Sequence, residues 1–316
     1  MKVRYVTSLI LALGLSSPLV LAGVLTSARV VELRNDVRYQ PADAAERAAQ
    51  VTDMVRETDV LRTGERSLAE LEFNDKTITR LGSMTVFSFN RETREFRAGK
   101  GTMLICVPKG MGGGRIVTSA ITAAIQGTTV VTQEIEVPGT GGGKPRTLSQ
   151  VIFLEGNGTV YRTGDPNRTG APIGAGQMIA QFTDSRGLGH VQHVDLGALT
   201  SHSRIVHGFA SSLPSLPIIE TVVNQQQVDI QHGDLQQTGG TGGGGSGGGG
   251  TSGGGTTALL PPTPTTQQVF DSPQQVPQTR PVIYAVGGGF YLSSVPIPGY
   301  NSAPLEGGGY VCRPRH

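Results

Sequence analysis

The sequence contains no tryptophan, and its aromatic content is only 5%. A carbohydrate-binding surface built on flat aromatic platforms is therefore not expected. Charged residues make up 16%, with 26 basic against 24 acidic side chains. Lys2 and Arg4 belong to a leader segment, and without them the two signs balance. That balance offers nothing to attract nucleic acid or an anionic membrane. Cysteine is nearly absent, with Cys106 and Cys312 the only two. Chemistry-bearing patterns are missing as well: no nucleophile motif, paired-carboxylate signature or metal-ligand spacing stands out. The expectation is no catalytic, cofactor-binding or metal site and no cofactor, in a protein that is not an enzyme.

What is present begins with an export signal over residues 1–22. Lys2 and Arg4 give the positive start, residues 6–15 the apolar run, and Val20-Leu21-Ala22 the small residues of a cleavage site. Residues 6–25 carry no charge and are about long enough to span a bilayer, so a membrane association follows only if the segment stays uncleaved. Either way the bulk of the chain is expected outside the cytoplasm, periplasmic, surface-bound or secreted.

Residues 60–131 organise the rest. They read VLRTGERSLAELEFNDKTITRLGSMTVFSFN, then REFRAGKGTMLICVP, then RIVTSAITAAIQGTTVV. Each part is a short β-branched and apolar run bounded by Gly, Asn-Asp or Pro-Lys-Gly, the pattern of a many-stranded β domain. In LAELEF, Ala69, Leu71 and Phe73 share one face, while Glu70 and Glu72 alternate onto the other as ordinary solvent-exposed carboxylates. MLICV is apolar on both faces, which marks an inner strand; Cys106 is expected there as a buried free thiol, with a Cys106–Cys312 disulfide, permitted outside the cytoplasm, as the alternative. Asn35-Asp36 is expected to turn a first strand pair, and Asn157-Gly158 to form a tight hairpin turn.

These stretches resemble the FecR domain, a bacterial extracytoplasmic β module. Thr63, Gly64, Ser67, Ala69, Leu71, Phe73, Leu81, Thr118, Gly127 and Thr128 sit at the family's matching places, and VIFLEGNGTVYRTG and APIGAGQM resemble its closing strands. Asn74-Asp75-Lys76 departs from the family's Asp-Gly turn. The resemblance covers residues 29–182 and implies an all-β fold, a twisted β-sandwich or a short β-solenoid. Gly127 is implied to need a backbone conformation or close approach that a Cβ would obstruct. Family members sense a transporter in the periplasm and control a sigma factor through a cytoplasmic N-terminal region. Here the signal begins at Met1, so the periplasmic binding role is expected without the anti-sigma role.

Two glycine-rich stretches, GMGGGR and GTGGGK, look like phosphate cradles, but Lys144 is followed by Pro145 and no helix pattern follows, so both read as loops. Residues 183–237 read as a polar, mostly extended segment with one short helix over 195–201. It holds His190, His193, His202 and His207, whose spacing matches no zinc motif, and metal binding by the 190–207 segment remains the minor alternative. Residues 238–257 form a Gly/Ser/Thr linker, and 258–316 a Pro/Gln/Thr-rich tail. Within that tail, VIYAVGGGFYLSSVPIP offers two apolar arms around three glycines, a possible C-terminal hairpin. The functional expectation is a binding or scaffold module of the cell envelope with a protein or envelope partner. A periplasmic signalling component related to the iron-responsive FecR regulators is the alternative.

Overall fold

The computed structural model describes residues 25–137, 144–201, 203–232 and 235–237, and as backbone strands 257–260, 283–285, 291–293, 300–304 and 310–314. The expected signal segment, the GTGGGK loop up to Gly143, His202 and residues 238–256 of the linker lie outside the described residues.

The chain is nearly all β, in two facing sheets between which it repeatedly crosses. β1 (Ser27–Arg34) lies in sheet A; β2 (Val37–Gln40) and β3 (Arg47–Ala48) lie in sheet B. The chain returns to A for β4 (Met54–Arg56) and crosses to B for β5 (Val60–Thr63). The pair β6 (Leu68–Phe73) and β7 (Ile78–Leu81) follows in A, then β8 (Val86–Asn90) and β9 (Glu95–Ala98) in B. β10 (Gly101–Cys106) is in A, β11 (Gly113–Val117) and β12 (Ile121–Gln126) in B, β13 (Thr129–Val137) and β14 (Arg146–Glu155) in A. β15 (Asn157–Arg162) and β16 (Gly170–Gly174) complete B, and β17 (Gln177–Phe182) and β18 (Gln192–Val194) continue A. From β5 to β18 both sheets grow in chain order, so each crossing advances the sandwich in one direction.

Most of sheet B is buried on one face only, as β2 and β8 show by strict alternation, with Val37, Tyr39, Phe87 and Phe89 inward. Phe73 of sheet A meets Phe89 and Phe96 of sheet B edge-on, with centroids 5.0 and 5.4 Å away. In sheet A, β10, β13 and β14 are buried on both faces. MLICV is thus an inner strand, between β7 and β13, and Cys106 is a buried free thiol.

The cover over sheet A's outer face corrects the expectation for residues 183–237, which are not mostly extended. α1 (Leu196–Ser201) lies where a short helix was expected, but α2 (Arg204–His207) and the 17-residue α3 (Leu216–His232) follow it. Ile219, Val222, Val223 and Gln226 recur at helical spacing on α3; Ile219 and Gln226 are buried, and the two valines pack partly buried on the sheet. A second core forms there, joining Leu104, Val131, Leu148 and Ile152 to Leu196, Leu199, Ile205 and Leu213. The β-branched and glutamine-rich composition of α3 hides its period, because those side chains favour helix weakly or are polar. Burial against the sheet overrides propensity.

The crossings are held by small polar side chains. Thr63 Oγ1 accepts from the Thr85 amide at 2.8 Å and donates to the Gly82 carbonyl. Ser67 Oγ accepts the Asp36 amide at 3.1 Å, and Thr128 donates to the Asn157 carbonyl at 3.1 Å; Thr118 Oγ1, which accepts the Ile121 amide at 2.9 Å, closes the β11–β12 hairpin within sheet B. Gly127 has φ +59°, and a Cβ there would stand 3.1 Å from Lys109 Cα. Two expected hairpins are crossings instead. Asn35-Asp36 does turn the chain, but β1 and β2 belong to different sheets. Asn157 and Gly158 lie inside β15, and the chain leaves sheet A at Gly156.

Six strands lie further along the chain. β19 (Leu235–Gln237) follows α3, and β20 (Thr257–Leu260) joins it in sheet A. β21 (Ile283–Ala285) pairs antiparallel with β22 (Tyr291–Ser293), and β23 (Tyr300–Pro304) and β24 (Tyr310–Pro314), which holds Cys312, complete a third sheet. Among the described residues no helix is long and apolar enough to cross a membrane.

Candidate interaction surface

The outer face of sheet A is divided between a covered region and an open strip. The cover is fastened by Arg80 of β7, which is fully buried. Its Nε donates to Glu70 Oε2 at 2.6 Å across the β6–β7 pair. Its Nη1 donates to the Val206 carbonyl at 2.6 Å, its Nη2 to the Ser211 carbonyl, and its guanidinium lies 4.4 Å from the Phe209 ring centroid. Ser211 Oγ closes the set by donating to the other Glu70 oxygen at 2.8 Å. Burial pulls the Arg80 pKa down, and Glu70 opposes that pull. Glu70 is therefore not a solvent-exposed carboxylate, contrary to the alternation of LAELEF; the helical cover seals it. Glu72, two residues on, stays at the surface.

Beyond the cover, β4, β1 and the end of β6 leave a groove of about 210 Å³. Arg29, Met54, Glu72, Asn74 and Lys76 line it. Glu72 takes Lys76 Nζ at 2.6 Å and Arg29 Nη2 at 3.3 Å, and its carboxyl is held below the usual range, first by the Lys76 hydrogen bond. Met54 is 41% exposed, so an apolar side chain stands beside two cations that share one carboxylate. The departure of Asn74-Asp75-Lys76 from an Asp-Gly turn has a structural counterpart. Asn74 Oδ1 accepts the Thr26 amide at 2.9 Å, and buried Asp75 takes Arg94 Nη2 at 2.7 Å.

The adjoining sheet edge is tied off. The single Tyr39 hydroxyl proton is shared between Asp59 Oδ2 at 2.6 Å and the Met54 carbonyl at 3.1 Å, and Asp59 also accepts the Arg56 amide at 2.8 Å. Burial first, then the bond to Asp59, push the Tyr39 hydroxyl up to about 12, so it remains a donor at ordinary pH. These bonds occupy backbone groups of β4 that a foreign strand would need. The groove is suited to side-chain contacts.

Among the described residues the histidines are not gathered together. His190 and His207 are exposed, and His193 is half-buried with its Nε2 3.0 Å from Gln177 Nε2. Burial lowers the His193 pKa. Among the described residues no group of three or more His, Cys, Asp or Glu is placed to hold a metal ion. Sequence reasoning gave no hint of a buried polar chain under α3. Thr129 Oγ1 lies 2.7 Å from Ser215 Oγ and 3.1 Å from Glu155 Oε1, and Cys106 Sγ lies 3.5 Å from Ser215 Oγ. Burial raises the Glu155 pKa. All four residues are at most 5% exposed, so the chain presents no reactive group to solvent.

No protein-family model matches the chain, and no curated protein matches it. Among solved structures it is similar to a putative anti-sigma factor from Parabacteroides distasonis solved at 1.65 Å. That likeness has TM-score 0.36 at 12% identity, over 57% of this chain and 78% of that one. A structure of a protein of the same description from that organism at 2.50 Å gives TM-score 0.35 at 12% identity, over 54% and 91%. Likenesses this slight assign neither family nor function.

Proposed function

We propose that this chain is a non-enzymatic, FecR-like binding module of the bacterial cell envelope, exported by its N-terminal segment, that engages a protein partner through the Met54 groove. The observation that carries the reading is the groove itself. An exposed methionine stands directly opposite Arg29, beside the Arg29–Glu72–Lys76 ion pairs, on a sheet edge whose backbone is already tied off. An apolar anchor beside charges at a rigid surface is the composition of a side-chain recognition site. The FecR resemblance supports the reading from the structural side. Thr63, Ser67 and Thr128, at the family's matching places, bond across the sheet crossings, Thr118 closes the β11–β12 hairpin, and Gly127 takes a left-handed conformation at one of the crossings.

The test is co-purification from envelope extract using the full exported chain as bait, beside Met54→Asp and Lys76→Glu variants and an Arg97→Glu control on the opposite sheet. A partner retained by wild type and control but lost from both groove variants supports the proposal. Equal capture by all four chains, or by none, overturns it.

A further inference from the structure

Sheet A ends in a three-strand arrangement that the fold of the body does not require. β18 and β19 flank α1 to α3 in sequence, yet they do not pair with each other. β20 lies between them and runs parallel to both. His193 and Val194 stand opposite Leu259 and Leu260 on one side, and Leu235, Gln236 and Gln237 opposite Thr257, Ala258 and Leu259 on the other. Among the described residues β19 has no ladder except the one to β20. Removing β20 would leave two facing rows of unpaired N–H and C=O groups, a slot one strand wide.

The sequence between β19 and β20 is long for the distance it closes. Residues 238–256 are Gly, Ser and Thr throughout. A coil of this composition and length spans ~25 Å on average. The return from Gln237 to Thr257, opposite Leu235, needs only ~10 Å, one strand spacing and two residues back. The connection is longer than pairing within one chain demands, and effective concentrations for such tethers are on the order of millimolar. We infer that the slot between β18 and β19 is a strand-receiving site, and that Thr257–Leu260 of a second copy of this chain can occupy it. The second copy is the partner favoured because Thr257–Leu260 is the segment whose length and parallel register the slot is seen to fit. Exchange conserves every ladder bond, so the internal and exchanged forms differ only through concentration.

The test uses the full chain with Cys312→Ser throughout. A His193→Cys/Leu259→Cys double variant, with Gln236→Cys/Ala258→Cys as a second pair on the other side of the slot, places cysteines on adjacent strands ~4.8 Å apart. That spacing lies within the range a disulfide accepts. At low micromolar concentration the double variants should oxidise to cross-linked monomers. Mixing the two single variants of a pair should give a covalent heterodimer whose yield rises toward millimolar concentration. Adding Ala258→Pro to the Leu259→Cys chain should abolish that heterodimer, because proline removes an N–H from the ladder. If both double variants keep free thiols, β20 does not occupy the slot and the proposal fails. If they cross-link internally while the mixtures yield no heterodimer up to millimolar concentration, the second copy is excluded as an occupant.

Discussion

Arg80 Nε and Glu70 Oε2 stand 2.6 Å apart on neighbouring strands, and the segment that seals them from water comes from more than a hundred residues further along the chain. Neither charge is tolerable there alone. The guanidinium spends its remaining donors on the carbonyls of Val206 and Ser211, so the ion pair also decides where the helical cover sits.

Arg80→Met should therefore destabilise the protein by about 3–5 kcal/mol, the usual cost of leaving a buried charge without its partner. An Arg80→Met/Glu70→Leu double variant should recover much of that loss, since apolar replacement of a whole buried pair is often neutral. Urea denaturation of the three chains is the measurement. An Arg80→Met chain as stable as wild type would show that the latch contributes nothing.

Gly127→Val should cost about 1–3 kcal/mol, because a β-branched residue is strained at φ +59° and its Cβ meets Lys109. Thermal unfolding reads this directly. An unchanged midpoint would mean that the crossing relaxes at no cost.

Glu155 gives a pH dependence of definite sign. Burial raises its folded-state pKa above the unfolded value, so the native state binds the proton more tightly. The stability this proton confers is complete below the unfolded value and is lost as pH rises through the folded one. Glu155→Gln keeps an acceptor for Thr129 without an ionisable group, and should be more stable than wild type at neutral pH. Denaturation at pH 4.5 and 7.5 should show the gap between variant and wild type opening as pH rises.

His193 has the opposite sign. Burial lowers its folded-state pKa, so the unfolded chain binds the proton more readily. Its contribution is complete above the unfolded value, about 6.5, and is lost as pH falls through the folded one. His193→Gln should flatten the stability profile between pH 7.5 and 5.5. A profile identical to wild type would assign the dependence to other groups.

The sequence by itself determined the β character of the body and the inner position of the strand holding Cys106. Those features are written in period-two alternation and two-sided apolar runs, which act within a few residues; the demand for glycine at Gly127 was implied by the FecR resemblance. Tertiary structure alone decided three others. Whether a turn closes a hairpin or carries the chain to the facing sheet cannot be read at Asn35-Asp36 or at Asn157-Gly158, since either course has the same local chemistry. The burial of Glu70 depends on a distant cover whose helix, α3, has its period masked by β-branched and glutamine residues. The Met54 groove exists only because β4, β1 and β6 come together beyond the edge of that cover, and no spacing along the chain records such a boundary.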